Sequence, residues 1–223
     1  MIVSAKIPSA PSRRALLALV LTGSAALLGA CALPVNRAPV QQTYRLTGAD
    51  IASAPLPQPV VVQLLPVRAA AGLQSAAMLY SRSPDLLAPY RDSRWLAPPA
   101  QLIGDAIAQT LARQPWVSAV QQQAVLANAP WALHCSLYRL EHDLRGSRGT
   151  VHVELVCALA NPRSRQIAAH WRFDGHEPLA VNDAAHFAQG AQALLDQALA
   201  EMVRRVHDAV QASQAVQAKA ETR

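Results

Sequence analysis

Two segments in which apolar and polar residues alternate constrain the fold of this 223-residue chain most strongly. They run from Ala132 to Leu140 and from Thr150 to Ala160, and the glycine-containing loop Arg145–Gly149 separates them. Alternation with a period of two predicts half-buried strands, and such a loop joins them as an antiparallel hairpin. A hairpin centred in the loop places Cys135 opposite Cys157. The same register pairs Leu137 with Leu155 and Leu133 with Leu159.

Two amphipathic helices are predicted around this hairpin. The first runs from about Pro99, which suits the first turn of a helix, to Arg113. The second has the longest apolar stripe in the chain, and Asn182 or Asp183 caps it. Two helices that cover one face of a mostly antiparallel sheet form a two-layer α+β sandwich. Further strands are predicted at 44–46, 60–65, 76–80, 86–90, 116–120 and 166–173.

The first 30 residues have the three parts of a secretory signal. Lys6, Arg13 and Arg14 precede an apolar run over residues 15–28, which is shorter than the roughly 20 residues that span a bilayer. The run ends in Leu28-Gly29-Ala30-Cys31, which resembles the lipobox of bacterial lipoproteins. That resemblance implies that Cys31 is lipidated and becomes the first residue of the mature chain. The alternatives are a buried cysteine in an N-terminal helix and an ordinary signal with a coincidental cysteine.

The sequence therefore predicts four segments. Residues 1–30 are the lipoprotein signal peptide, 31–43 a lipidated tether, 44–210 the folded domain and 211–223 a flexible tail. Ala32 follows the cysteine, where lipoproteins retained in the inner membrane of Gram-negative bacteria commonly carry Asp. The chain thus resembles lipoproteins sorted to the inner leaflet of the outer membrane, with the domain in the periplasm.

Charge and motifs exclude several classes of function. The formal charge is +6, and it falls to about +3 without the three signal cations, which is too small to indicate nucleic-acid binding. We find no nucleophile elbow, no zinc-protease motif and no glycine-rich phosphate loop. The seven histidines include no pair spaced for a helical metal site. We therefore expect no catalytic residue, no cofactor and no metal.

Cys135 and Cys157 remain once Cys31 is lipidated. Directly opposed strand residues are close enough for a disulfide, and an exported protein meets an oxidising compartment. Two buried thiols and a redox-active pair are the alternatives.

Four stretches follow one another in the chain: Met78–Pro84, Tyr90, Ser93-Arg94-Trp95 and the helix start Pro98-Pro99-Ala100. Together they resemble the signature of the ABC-type transport auxiliary lipoproteins. Tyr44-Arg45-Leu46 matches the Tyr-x-Leu segment of that family. The resemblance covers about residues 31–210.

The resemblance implies a non-enzymatic accessory role. Such lipoproteins accompany an ABC permease, an ATPase and a mammalian-cell-entry domain protein, which move lipids or other hydrophobic solutes between the two membranes. A homo-oligomer is compatible with this role. Arg94 and Trp95 are candidate contacts with a partner or with lipid; alternatively, Trp95 fills the core below the first helix and Arg94 fixes the loop through a salt bridge. The alternative function is an envelope assembly or scaffold lipoprotein for an outer-membrane machine.

Overall fold

Nine strands and two helices form the part of the chain that the structure describes. The structure is a computed structural model, and it describes residues 40–122, 131–161, 164 and 166–222. The strands are β1 (Gln42–Tyr44), β2 (Val60–Leu64), β3 (Arg68–Ala69), β4 (Ala77–Ser83), β5 (Leu86–Trp95), β6 (Val117–Gln121), β7 (Trp131–Asp143), β8 (Thr150–Asn161) and β9 (Gln166–Pro178). The helices are α1 (Pro99–Ala112) and α2 (Ala184–Glu221).

The strand β7 is the centre of a single sheet. One of its edges pairs with β8, and β8 pairs in turn with β9, both in antiparallel register. The other edge is shared by three short strands: β2 lies beside residues 131–133, β3 beside 136–137 and β4 beside 142–143. Strand β6 extends the sheet beyond β2, and β5 and β1 extend it beyond β4. The α+β class predicted from the sequence is confirmed.

Antiparallel ladders make up most of the sheet, as the sequence predicts, and shorter parallel pairings that it does not predict complete it. The two longest ladders are antiparallel, but β2, β3 and β4 all run parallel to β7, and β2 runs parallel to β6. Parallel neighbours need a crossover connection, and the connection from β2 to its parallel neighbour β6 contains α1. Alternation within a strand carries no information on the direction of a neighbour that is distant in sequence.

The predicted hairpin register is confirmed. Cys135 lies opposite Cys157, and the expected leucine pairs are also in register. A bulge between Leu137 and Arg139, which the sequence analysis did not anticipate, interrupts the ladder. An extra residue at a bulge exchanges the side chains that face the core, so Leu140 and His142 are buried beyond it.

Both helices cover the sheet with the apolar stripes that their sequences predict. Leu102, Ile103, Ala106, Ile107 and Leu111 of α1 are buried, and they belong to the same core as the stripe of α2. Gly190 brings α2 close to β8, since a Cβ atom there would lie 2.7 Å from Cγ2 of Val151. Neither helix, within the described residues, carries an apolar stretch long enough to cross a membrane.

The helix starts agree with the sequence, but one helix end does not. Pro99 opens α1, and the carboxylate of Asp183 caps α2 by accepting a hydrogen bond of 2.8 Å from the His186 N–H. Residues 211–223 were expected to be a flexible tail, but α2 continues to Glu221. This stretch contains neither Gly nor Pro, and its Ala, Gln and Lys residues are good helix formers.

The structure describes only the last part of the predicted tether that precedes the domain. The signal peptide and the tether up to residue 39 lie outside the described residues. Gln42 and Thr43, which the sequence places in the tether, belong to β1. They pair there with Ser93 and Arg94 of β5. Strand β1 thus begins two residues before the expected start of the domain.

Candidate functional site

A cleft of about 660 Å³ lies between β1, the β4–β5 hairpin and the start of α2. Three tyrosines line it, Tyr44, Tyr80 and Tyr90, together with Arg82 and Ser93. These residues belong to three segments of the sequence signature that are separated in the chain. The fold therefore gathers the signature residues around one concave surface, which we call the tyrosine cleft.

Aromatic contacts hold two of the tyrosines in place. The rings of Tyr80 and Tyr90 meet edge to face, with centroids 5.2 Å apart. The guanidinium carbon of Arg82 lies 5.5 Å from the centroid of the Tyr80 ring, which is within the range of a cation–π contact. Such a contact restricts an arginine side chain that would otherwise be free in solvent.

Behind the cleft, Tyr90 is joined to a buried histidine. Its hydroxyl oxygen lies 2.6 Å from Nδ1 of His142, and the His142 ring, which is fully buried, stacks on Phe187. Burial raises the pKa of Tyr90 to about 12, and the nearby Asp183 carboxylate adds to this. Burial also lowers the pKa of His142, although Asn182 and Asp183 oppose this in part. Burial thus favours the neutral form of both side chains.

Opposite charges lie at the rim of the tyrosine cleft. Asp183 lines it at the start of α2, and the hydrogen bond from the His186 backbone N–H is the main cause that lowers the pKa of this carboxyl group. Arg82 and Arg91 line it as well. Asp92 lines the cleft too, so a partner that docks here can meet aromatic surface, two carboxylates and two guanidinium groups.

Arg94 and Trp95 have different environments. Trp95 is completely buried, and its ring meets Phe187 of α2 edge to face at 5.6 Å. This supports the interpretation that Trp95 fills the core. Arg94 is exposed, and its Nε lies 3.4 Å from the carbonyl oxygen of Trp95. No ion pair involves Arg94 among the described residues, so it remains the accessible member of the pair.

Cys135 and Cys157 face each other across β7 and β8. Their Cα atoms are 4.2 Å apart and their sulfur atoms 2.03 Å apart, and both residues are buried. The two cysteines are joined as a disulfide in the structure. That they are oxidised in the cell stays a prediction.

A second concavity, of about 510 Å³, lies between β2, the chain after it and α1. Leu65, Val67 and Leu73 line it together with Pro98 and Gly104. Its lining is more apolar than that of the tyrosine cleft, and only Pro98 among these five residues belongs to the signature.

Sequence reasoning missed the convergence on the cleft. In the sequence, Tyr44, Tyr80 and Tyr90 are parts of a signature, and His142 is one of seven histidines. The position of Tyr90 within the signature is the one sequence feature that points to the cleft. The burial of His142 depends on the β7 bulge, which has no pattern of its own in the sequence.

Comparison with known proteins decides the family. The family model for the ABC-type transport auxiliary lipoprotein component matches residues 44–203. The chain belongs to this family. The three cleft tyrosines, Arg82 and Ser93 lie inside the matched range, as do both cysteines of the β7–β8 pair. The predicted lipidation site of this auxiliary lipoprotein, Cys31, precedes the match and lies outside the described residues.

Solved structures share the fold of this auxiliary lipoprotein. Protein XCC0632 from Xanthomonas campestris is 20% identical, with a TM-score of 0.69 over 79% of this chain and 99% of that chain. A second similar structure, of an uncharacterized protein, is 12% identical, with a TM-score of 0.56 over 75% of this chain and 99% of that one. No match was found among curated proteins. At these identities the likeness shows the fold alone.

Proposed function

We propose that this chain is an outer-membrane-anchored periplasmic lipoprotein that serves as a non-enzymatic accessory subunit of an intermembrane transport system. The system would contain an ABC permease and ATPase with a mammalian-cell-entry domain protein, and it would move lipids or other hydrophobic solutes. Membership of the auxiliary lipoprotein family is the observation that carries the proposal. The lipobox at Cys31 supports the anchor, and Ala32 supports sorting to the outer membrane.

Acylation at Cys31 would hold the domain close to the membrane. Each buried methylene of an acyl chain contributes about 0.8 kcal/mol, and more than one chain is needed for stable anchoring. Eleven residue steps separate Cys31 from Gln42, and an extended chain of that length reaches at most about 40 Å. Because Gln42 and Tyr44 line the tyrosine cleft, the anchor would keep the cleft within that reach of the membrane.

The tyrosine cleft is the proposed docking surface for the periplasmic part of the mammalian-cell-entry protein. Tyrosine and arginine are enriched in protein interfaces and dominate their binding energy. Tyr80 and Tyr90 hold each other in place, and Arg82 is fixed on Tyr80, so little side-chain freedom is lost on docking. Arg94, which is exposed at the end of β5 beside β1, would add a contact at the edge of this surface.

Co-purification tests the proposal. The full-length lipoprotein, extracted in detergent, should recover the mammalian-cell-entry protein from cells that express both. Tyr80→Ala and Arg82→Ala should lower the recovery about tenfold, as expected for central interface residues. Tyr138→Ala is the matched control, because Tyr138 is an exposed tyrosine of β7 that does not line the cleft.

Two results would contradict the proposal at different levels. Equal recovery by the cleft variants and the control would exclude the cleft as the docking surface. Recovery of an outer-membrane assembly machine without any transport protein would favour the alternative function as an envelope scaffold.

A further inference from the structure

The solvent-facing side of the β8–β9 ladder carries two histidines and an aspartate that meet at one point. His152 of β8 and His176 of β9 are direct register partners. Asp174 lies two residues before His176, so it is on the same face of β9. The two imidazole rings are 3.9 Å apart between centroids. The strand pairing itself therefore assembles these three side chains.

The potential ligand atoms are close to the spacing of a metal site. Oδ1 of Asp174 lies 2.7 Å from Nε2 of His152 and 3.5 Å from Nε2 of His176. One ligand atom from each residue lies within 4.8 Å of the other two. Nitrogen and oxygen ligands at 2.0–2.2 Å around a tetrahedral ion are separated by roughly 3.3 Å. Small side-chain movements would thus bring all three atoms to coordination distance.

We propose that His152, Asp174 and His176 bind one divalent transition-metal ion, for which Zn²⁺ is the best fit. Two imidazoles and a carboxylate suit zinc better than they suit calcium or magnesium, which prefer oxygen ligands. Three protein ligands leave a fourth position open. The Asp174 and His176 side chains are 39% and 54% exposed, so an ion can reach the site from solvent.

The neighbouring charges accept a dication. Arg172 Nη2 lies 2.9 Å from Oδ2 of Asp174, which orients the carboxylate and leaves Oδ1 for the metal. The Nε of Arg172 lies 3.2 Å from a carboxylate oxygen of Glu154. Three carboxylates of this face, on Glu141, Glu154 and Asp174, face two guanidinium groups, on Arg139 and Arg172.

Arg139 competes with the metal through His152. Nη1 of Arg139 lies 3.1 Å from Nδ1 of His152, and an arginine can only donate. Nδ1 therefore accepts, and the proton of the neutral ring is on Nε2, directed at Asp174. Metal binding at Nε2 requires that this proton leave Nε2 to water and that Nδ1 take up a proton from water, so that the ring stays neutral.

Glu141 can then stabilise the metal-bound ring. It is the register partner of His152 across β7 and β8. A metal-bound histidine usually donates its other N–H to a carboxylate or carbonyl oxygen. Glu141 is the carboxylate of β7 that is placed for this role once Arg139 releases Nδ1. The site thus exchanges Arg139 for Glu141 as the partner of His152 when the metal binds.

Zinc titration by calorimetry tests the proposal. The full-length chain in detergent, purified without a polyhistidine tag and stripped with a chelator, should bind one Zn²⁺. His176→Gln should weaken binding at least about tenfold. His170→Gln is the matched control, since His170 is an exposed histidine of the same strand outside the cluster, and it should bind as the wild type does. Circular dichroism should show that both variants are folded.

A second variant tests the competition by Arg139. Arg139→Gln should bind Zn²⁺ more tightly than the wild type does, because the arginine no longer occupies Nδ1. Weaker binding would mean that Arg139 supports the site and would overturn the proposed exchange of partners. Absence of zinc binding by the wild type, or equal binding by the wild type and His176→Gln, would overturn the site itself.

Discussion

The hydroxyl oxygen of Tyr90 lies 2.6 Å from Nδ1 of His142, and it joins the wall of the tyrosine cleft to the core of the domain. Tyr90 lines the cleft, while His142 is fully buried against Phe187. The hydrogen bond needs an unprotonated Nδ1 when the tyrosine donates. The protonation state of a core residue therefore determines how one side chain of the proposed docking surface is held.

Stability should fall as the pH falls below about 6.5. Burial lowers the pKa of His142 in the folded chain, so the unfolded chain takes up the proton first, near pH 6.5. The stabilisation is complete above that pH and is lost towards acid, by up to about 1.4 kcal/mol per pH unit. Urea unfolding at pH 7.5 and 5.5 should show a smaller difference for His142→Gln, which has no titrating group at this position. An equal pH dependence of the two chains would contradict the assignment.

Trp95 and Arg94 should differ sharply on replacement. Trp95 is completely buried against Phe187, so Trp95→Ala should lower the free energy of unfolding by about 3–5 kcal/mol. Arg94 is exposed, so Arg94→Ala should change it by less than about 0.5 kcal/mol. Denaturant unfolding of both variants provides the comparison. In the co-purification assay Arg94→Ala should reduce recovery of the partner; full recovery would remove Arg94 from the proposed surface.

The paired cysteines should carry no free thiol in the mature protein. The disulfide would close a segment with a sequence separation of 22 residues, which corresponds to about 3 kcal/mol in the chain-entropy model. Thiol counting on the denatured, unreduced chain should give none, since Cys31 is expected to be acylated. Reduction should lower the urea midpoint. Two titratable thiols in protein isolated from the envelope would show that Cys135 and Cys157 are unpaired.

Replacement of Cys31 should release the protein from the membrane without unfolding it. Cys31 precedes the first described strand by eleven residues, so Cys31→Ser should leave the core intact. Fractionation should move the variant from the membrane to the periplasmic fraction, while Cys135→Ala, as the control, should remain in the membrane fraction. Membrane association of Cys31→Ser would exclude this residue as the anchor.

The sequence predicts what depends on local patterns. The hairpin register follows from alternation and a short loop, and the α2 start follows from the Asp183 cap and an unbroken stripe. It does not predict which strands share the far edge of β7, because these pairings join residues about 60 to 70 positions apart. Contacts of that kind depend on the packing of the whole domain rather than on local periodicity.

The histidine–aspartate cluster and the tyrosine cleft also depend on contacts between residues that are distant in sequence. The cluster of His152, Asp174 and His176 joins adjacent strands, so a search for the i, i+4 spacing of a helical metal site does not find it. The position of His142 in the core depends on a bulge that changes which side of β7 faces inward. The tyrosine cleft is not predicted from the sequence, because Tyr44 and Tyr90 are far apart in the chain and share only a resemblance to known lipoproteins.

The division of β7 between one long neighbour and three short ones has a consequence for the order in which the chain can fold. Strands β7, β8 and β9 follow one another closely in the chain and can form a meander from local contacts, which close early. The N-terminal strands β2, β3 and β4 gain their shared neighbour only after residues 131–143 are available. A chain that emerges N-terminus first must therefore wait, with the edges of β2, β3 and β4 that face β7 unpaired and exposed to aggregation, until its second half has arrived.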